Sequence, residues 1–253
     1  MLDLHVHVLG HLERKLTIDT VRAFLEKAAQ KKIKQIGFAD HDMYWEHFNF
    51  ALLRKAAEEY PELQVRIGLE VDYREEREEE IARRINTYPF DYVIGSVHQI
   101  GDWLFDYPEE AINHRKRDAD DLYQEYFFLV EKAVNSGLFD IIGHLDLIKI
   151  YQVRPRTDVR ILAASVLKAI KEHGLVVEVN TNGRYKPVQE FYPEDKLLKL
   201  INEMGIAFTL GSDAHAPGAV GRDLDEACGL LKSLGVKEVT SLTARQPLKV
   251  SLK

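Results

Sequence analysis

Ten histidines occur in the 253 residues, and most share one setting: a short apolar run that ends in one or two side chains able to hold a metal. His5 and His7 stand two apart in Leu-Asp-Leu-His-Val-His, so in an extended segment both imidazoles point to one face. Asp40, His41 and Asp42 close a second run, Glu70 a third, and Ser96 with His98 a fourth. His144 and Asp146 follow a fifth, Asn180 ends a sixth, and Asp213 with His215, again two apart, ends a seventh. One histidine at a strand end is most simply a hydrogen-bonded packing residue. Two imidazoles side by side in an apolar interior need a shared cation or costly partners, and packing does not explain the same chemistry at seven run ends. Imidazole with carboxylate is a borderline donor set, suited to Zn, Fe or Mn rather than Ca or Mg. A carboxylate such as Glu70 can bridge two ions, and ions set about 3.5–4 Å apart generate hydroxide and clamp the oxygens of a displacement at phosphorus. The residue types predict metal-assisted hydrolysis and leave the substrate open.

The elements that must position these groups alternate along the whole chain. Leu2 to His7 reads as a strand, and Thr17 to Lys32 as a helix with Thr17 as its cap and an apolar stripe through Val21, Phe24, Leu25 and Ala28. Strands are expected from Ile33 to Asp40, Val65 to Val71, Phe90 to Val97, Phe139 to Gly143, Leu175 to Asn180 and Ile206 to Gly211. Helices are expected within 49–59, 75–86, 118–136, 159–173, 193–204 and 222–234, with one more extended piece through Val239 and Leu242. Runs such as Leu-Val-Val-Glu-Val are apolar on both faces, as in a parallel sheet covered by helices. A nucleotide-binding sheet would carry a Gly-rich turn after its first strand; that turn here holds His5, His7 and His11. The pattern predicts one domain over residues 1–253, a distorted (β/α)7 barrel whose strand ends converge on one rim.

A net charge of −7 offers no phosphate-tracking surface, which argues against nucleic-acid or anionic-membrane binding. No apolar run approaches the roughly 20 residues of a membrane span, and the N-terminus has no leader pattern, so a cytoplasmic location is expected. The single cysteine, Cys228, reads as a small core residue of a helix. The acidic run from Arg74 to Arg84 reads as a solvated helix face with i, i+4 pairs Glu79–Arg83 and Glu80–Arg84. His173 precedes a glycine helix stop, where a cation suits the helix end; His47 and His114 lie in connections and are expected at the surface.

The motifs His5-Val6-His7, Ala39-Asp40-His41, Gly68-Leu69-Glu70, Gly95-Ser96-Val97-His98, Gly143-His144-Leu145-Asp146 and Gly211-Ser212-Asp213-Ala214-His215 resemble, in order from residue 3 to 223, the PHP (polymerase and histidinol phosphatase) superfamily. Residues 95–105 and 117–149 look especially like its histidinol-phosphate phosphatases. The resemblance implies a (β/α)7 barrel with two to three divalent transition-metal ions, Zn, Fe or Mn. His5, His7, Glu70 and Asp213 would hold the first, Glu70 would bridge to a second completed by His98 and His144, and His41 with His215 would hold the third. His11 would complete that third site, with Glu13 as its rival. The implied reaction is hydrolysis of a small phosphomonoester, with Glu70 bridging and Asp213 or His215 passing a proton to the leaving group.

For histidinol phosphate, an acidic wall is expected from Asp42, Glu46 and Asp106. Members of this branch tend to carry arginines near the phosphate. The matching places here read Lys149-Ile150 and Arg184-Tyr185-Lys186, so Lys149, Arg184 and Lys186 are the candidate phosphate contacts. Tyr44, Trp45, Trp103 and Tyr185 also suit a protein-tyrosine phosphatase of the same superfamily, the alternative within hydrolases. A partner domain without catalysis is the alternative outside them, and the filled ligand positions argue against it. Nothing in the chain indicates an oligomeric state.

Overall fold

The computed structural model describes residues 1–252. Seven parallel strands, Leu2–Val6 (β1), Gln35–Phe38 (β2), Gln64–Asp72 (β3), Tyr92–Ser96 (β4), Ile141–Ile142 (β5), Val176–Asn180 (β6) and Phe208–Gly211 (β7), pair in sequence order. The sheet then returns toward its start. Val6 and Ala214 form a parallel bridge in which His7 N–H donates to Ala214 O at 2.9 Å. Asp3, buried, accepts from Ser212 N at 2.8 Å, Ser212 Oγ at 2.6 Å and Gly221 N at 2.8 Å, lacing β1 to the segment after β7. The expected distorted barrel is the fold observed.

The surrounding helices are Ile18–Gln30 (α1), Phe50–Ala57 (α2), Glu78–Ile85 (α3), Ala119–Asn135 (α4), Val159–Leu162 (α5), Ala164–His173 (α6), Asp195–Glu203 (α7) and Leu224–Ser233 (α8). Thr17 caps α1 by accepting from Thr20 N–H, and Val21, Phe24, Leu25 and Ala28 form its buried stripe. The N-terminal end of the barrel is plugged by Tyr92, whose Oη donates to Leu4 O at 2.6 Å. A Cβ at Gly37 would lie 2.0 Å from that hydroxyl and one at Gly68 2.3 Å from the ring, so glycine at both positions makes room for the plug. The polar strand ends are thereby left at the opposite rim.

One expectation needs correction, and the expected extended piece through Val239 and Leu242 proves to be one strand of two. The segment expected to form one helix from Val159 to His173 is two, interrupted at Ala163 (φ −86°, ψ −3°). The extended tail is an antiparallel hairpin of Glu238–Thr243 (β8) and Gln246–Ser251 (β9). Its turn places Ala244 and Arg245 both at positive φ, +47° and +62°, a conformation usually signalled by Asn-Gly. Here Arg245 is held in it by its Nε bonding Asp140 Oδ2 at 2.9 Å and its N–H bonding Asp91 O at 2.9 Å.

Cys228 is half-buried in α8 against the core, and burial pushes its thiol up, away from reactivity. His173 Nδ1 donates to Ala169 O at 3.0 Å at the end of α6. Among the described residues no helix is long and apolar enough to cross a membrane.

Candidate metal centre

Side chains from four strands or strand ends converge on Glu70, which β3 carries into the barrel interior. Its Oε2 lies 2.9 Å from His41 Nδ1, 3.3 Å from His5 Nε2 and 3.5 Å from His7 Nε2. Its Oε1 lies 3.0 Å from His144 Nε2 and 3.7 Å from His98 Nε2, and accepts from Ser96 Oγ at 2.7 Å. Asp213 Oδ1 is 3.2 Å from His7 Nε2 and 3.9 Å from His5 Nε2. Three groupings have donor atoms within 4.8 Å of one another: His5, His7 and Glu70; Glu70, His98 and His144; and His7, His41 and His215. Glu70 and His7 each belong to two of them. His11 stacks at 4.5 Å from the His215 ring and 5.4 Å from that of His41, and lines the mouth without joining those groupings. Glu13 turns outward to Arg14 at 3.2 Å.

The donor atoms fit a metal cluster on their own chemistry. His5 Nε2, both nitrogens of His7 and of His41, His144 Nδ1 and His215 Nε2 are buried without hydrogen-bond geometry to any partner, an arrangement that costs free energy unless something else satisfies them. The charges conflict as well. Burial pushes His5 down, but the carboxylates of Glu178, Glu70 and Asp213 outweigh it and hold that imidazole well above its usual range. His7 is driven well below its usual range by burial and by the charges of His215 and His41. Glu70 is buried, yet the imidazoles of His5 and His41 hold it well below the usual carboxylate range. Neighbouring imidazoles at opposite extremes around one depressed carboxylate are what cations at the centre would reconcile. Two of the non-glycine residues with positive φ sit in the same place, His144 at φ +24° and Asp213 at φ +50°.

A supporting layer orients these donors, and its carboxylates nearest the histidines, Glu178 and Asp72, were missed in the sequence. Glu178, buried in β6, takes His5 Nδ1 at 2.6 Å on Oε1, and on Oε2 accepts from His144 N–H at 2.9 Å and Asn180 Nδ2 at 3.1 Å. A Cβ at Gly211 would lie 2.0 Å from Glu178 Oε1, so that glycine leaves the space. Asp72 does the same for His98, lying 3.3 Å from its Nδ1 and accepting its N–H at 3.2 Å. Carboxylates that fix ring and tautomer of a histidine are the usual supports of metal ligands. Asp40 accepts from Val8 N and Leu9 N, at 3.1 and 2.7 Å, and so shapes the turn after His7. Asn182 and Asn180 donate to Asp213 Oδ2 at 3.2 and 3.4 Å.

Several expected substrate contacts lie elsewhere. Lys149 is fully buried, its Nζ bound to Phe191 O at 2.6 Å and Asp146 Oδ2 at 3.0 Å. It sits in the 3₁₀ turn 147–151, in which residues three apart share a face: Leu147 and Ile150 line the mouth, and Asp146 and Lys149 point away. Asp42 is locked by Arg77 at 2.6 Å and Arg84 at 3.6 Å and accepts Asp72 N–H at 3.1 Å, so it braces the end of β3 that carries Asp72. The acidic helix is accordingly more than a solvated face, although the pairs Glu80–Arg84 (3.2 Å) and Glu79–Arg83 (3.9 Å) are present. Glu46 is exposed and does not line the mouth; Asp106 does. His47 is exposed as expected, whereas His114 is buried. The 3₁₀ run 108–116 folds His114 back so that its Nε2 donates to Phe105 O at 2.7 Å.

Arg184 turns to Glu226 and Asp223 and stacks over Phe191, leaving Lys186 as the cationic side chain of the mouth. Lys186→Ala is therefore expected to raise KM for a phosphomonoester by about 10-fold, the worth of one charge-assisted hydrogen bond. Arg184→Ala should leave KM within about 2-fold of the parent, as expected for a solvent-screened surface pair. Steady-state kinetics on the two variants checks both.

Barrel, rim and converging histidines define a class. The PHP domain family profile matches residues 3–182, and the chain belongs to that family. A probable histidinol-phosphatase of Deinococcus radiodurans is 37% identical over 252 residues, covering 94% of each chain. The histidinol-phosphatase of Lactococcus lactis is 28% identical over 261 residues, covering 96% of this chain and 94% of the relative. The crystal structure of the Lactococcus lactis histidinol phosphate phosphatase, complexed with Zn, L-histidinol and phosphate, superposes with a TM-score of 0.78 over 98% of both chains at 24% identity, a likeness of fold.

Proposed function

We propose that this chain is a metal-dependent phosphomonoesterase that hydrolyses L-histidinol phosphate to L-histidinol and phosphate. The observation that carries the reading is the convergence of five buried or half-buried imidazoles on the two oxygens of Glu70, three of whose nitrogens, His5 Nε2, His7 Nε2 and His41 Nδ1 beside Oε2, have no hydrogen-bond partner. The relative at 37% identity over nearly the whole chain supports the substrate. Two to three divalent transition-metal ions, Zn, Fe or Mn, would be held there, the first by His5, His7, Glu70 and Asp213, the second by Glu70, His98 and His144, and the third by His41 and His215, with His11, whose ring lies 4.5 Å from that of His215, as the candidate to complete it. When bound, such ions supply Lewis acidity to the phosphoryl oxygens and make water a nucleophile at neutral pH.

The chain's own residues do the rest. Glu178 and Asp72 hold His5 and His98 in the orientation that points Nε2 inward. Lys186 meets the phosphoryl group at the mouth, and Leu147, Ile150 and Tyr192 exclude water from its wall. Asp213, a carboxylate steadied on Oδ2 by Asn182, takes a proton from the attacking water and relays it to the leaving alkoxide oxygen.

The test is phosphate release from L-histidinol phosphate beside phosphotyrosine and an aryl phosphate, with Mn or Zn supplied. A kcat/KM at least about 100-fold higher for histidinol phosphate is expected, the discrimination available when a site's polar groups are paired by only one substrate. Higher activity on phosphotyrosine would replace this substrate assignment with the tyrosine phosphatase reading.

A further inference from the structure

A relay of hydrogen bonds runs from the segment after β7 back to Asp213. Arg222 Nη2 donates to Asn182 Oδ1 at 2.9 Å, and Asn182 Nδ2 donates in turn to Asp213 Oδ2 at 3.2 Å. Asn182 lines the mouth, and Arg222 reaches it from outside that lining. The guanidinium is held in place. Its Cζ stands 3.4 Å from the centre of the Tyr185 ring, and Tyr185 Oη is anchored on Asp223 Oδ2 at 2.9 Å. Stacking on an aromatic face fixes the plane of a guanidinium and so the direction of its N–H groups. The backbone is fixed as well: Thr181 Oγ1 donates to Arg222 O at 2.7 Å, and Arg222 N–H donates to Ala219 O at 3.0 Å.

An asparagine amide can stand either way round, and its neighbours decide which. A guanidinium only donates, and an ionised carboxylate only accepts. Between Arg222 and Asp213 the Asn182 amide therefore has one satisfied orientation. The carboxylate alone favours that orientation; the guanidinium also fixes where the amide stands, from its far end. Asn180 Nδ2 adds a second donor to Asp213 Oδ2 at 3.4 Å, and Oδ1 is left facing His7 Nε2 at 3.2 Å and His5 Nε2 at 3.9 Å. Asp213 has φ +50°, a backbone that persists in a non-glycine residue only where its surroundings hold it. We propose that Arg222 is a positioning residue for the hydrolysis: by fixing the Asn182 amide it holds the Asp213 carboxylate with Oδ2 outward and Oδ1 in the histidine cluster. The proposal rests on the phosphatase reading above. Arg222 acts through Asn182 and not on the substrate.

The experiment measures kcat and KM for L-histidinol phosphate in the Zn-loaded parent, Arg222→Met, Asn182→Ala and the double variant, each checked for metal content. Methionine keeps an apolar stem over Tyr185 and removes the donor. Arg222→Met is expected to lower kcat by about 10-fold, the low end of the loss when a residue that orients a metal ligand is removed. KM should stay within about 2-fold of the parent, because the effect falls on the reacting carboxylate rather than on substrate binding. In the Asn182→Ala background the same substitution should change kcat by less than about 2-fold, since the two residues act in series. Arg222→Lys, which keeps a donor, should recover most of the lost rate. A second readout needs no turnover: the side-chain amide protons of Asn182, assigned by their loss from the NMR spectrum of Asn182→Ala, should exchange with solvent faster in Arg222→Met than in the parent. Should the methionine variant not fold, Arg222→Leu repeats the comparison. Equal losses of kcat in both backgrounds, or amide exchange unchanged by Arg222→Met, overturn the role of Arg222 and leave the phosphatase reading standing. A parent that releases no phosphate from L-histidinol phosphate, phosphotyrosine or an aryl phosphate overturns both.

Discussion

Glu70→Gln is expected to lower phosphate release by more than about 100-fold and to strip the protein of most of its bound metal. Removing an orienting residue around a metal ligand typically costs 10–100-fold, and Glu70 is placed as the donor shared by two sites. It is the geometric hub, with imidazole nitrogens at 2.9, 3.0 and 3.3 Å. A glutamine keeps the shape but presents one neutral oxygen, and its amide N–H₂ would face imidazole nitrogens that also need an acceptor or a cation. It would still bond Ser96 Oγ, so the fold around it should persist. Metal analysis beside activity is the check; unchanged metal content together with an unchanged rate would remove Glu70 from the centre.

Glu178→Gln is expected to weaken metal affinity by about 10–100-fold, with much of the lost rate returning at high metal concentration. Both oxygens of Glu178 are in use. Oε1 takes His5 Nδ1 at 2.6 Å, and Oε2 takes His144 N–H at 2.9 Å. These two histidines sit in different metal groupings, so one carboxylate braces both. Glutamine offers a single acceptor, and whichever side receives the amide nitrogen places donor against donor. Competition with a chelator measures the affinity. A lower melting temperature with unchanged metal affinity would make Glu178 a packing residue and nothing more.

Much of the centre is legible in the sequence because strand periodicity and strand ends carry it. Histidines two apart at His5–His7, and an acid and a histidine two apart at Asp213–His215, declare a face as well as a donor type. The supporting layer is hidden in the same periodicity. Asp3 is two residues before His5, Asp72 two after Glu70, and Glu178 two before Asn180. Each therefore points to the face of a recognised site residue, a signal that would have found them. Glu178 was masked by the apolar residues around it, which make β6 read as a buried strand.

Loop side chains were harder to assign. Lys149 and Ile150 are adjacent in a 3₁₀ turn, and sequence does not say which of them faces the substrate; the structure turns the lysine inward and the isoleucine to the mouth. Arg184 and Lys186 divide in the same way. His114 looked like a surface residue because nothing local shows that the 108–116 run folds back on Trp103. The (β/α)7 architecture followed from the alternation of elements and the family resemblance, while the hairpin at the end did not, because Ala244-Arg245 carries no turn signal.

Titrating metal-free protein with Zn or Mn while following phosphate release from L-histidinol phosphate measures whether hydrolysis depends on a multinuclear metal centre. No measurable turnover is expected without metal, little at the first equivalent per chain, and full rate only after more than one equivalent is bound. Full activity in metal-free protein, or saturation at a single equivalent, would rule out a multinuclear centre.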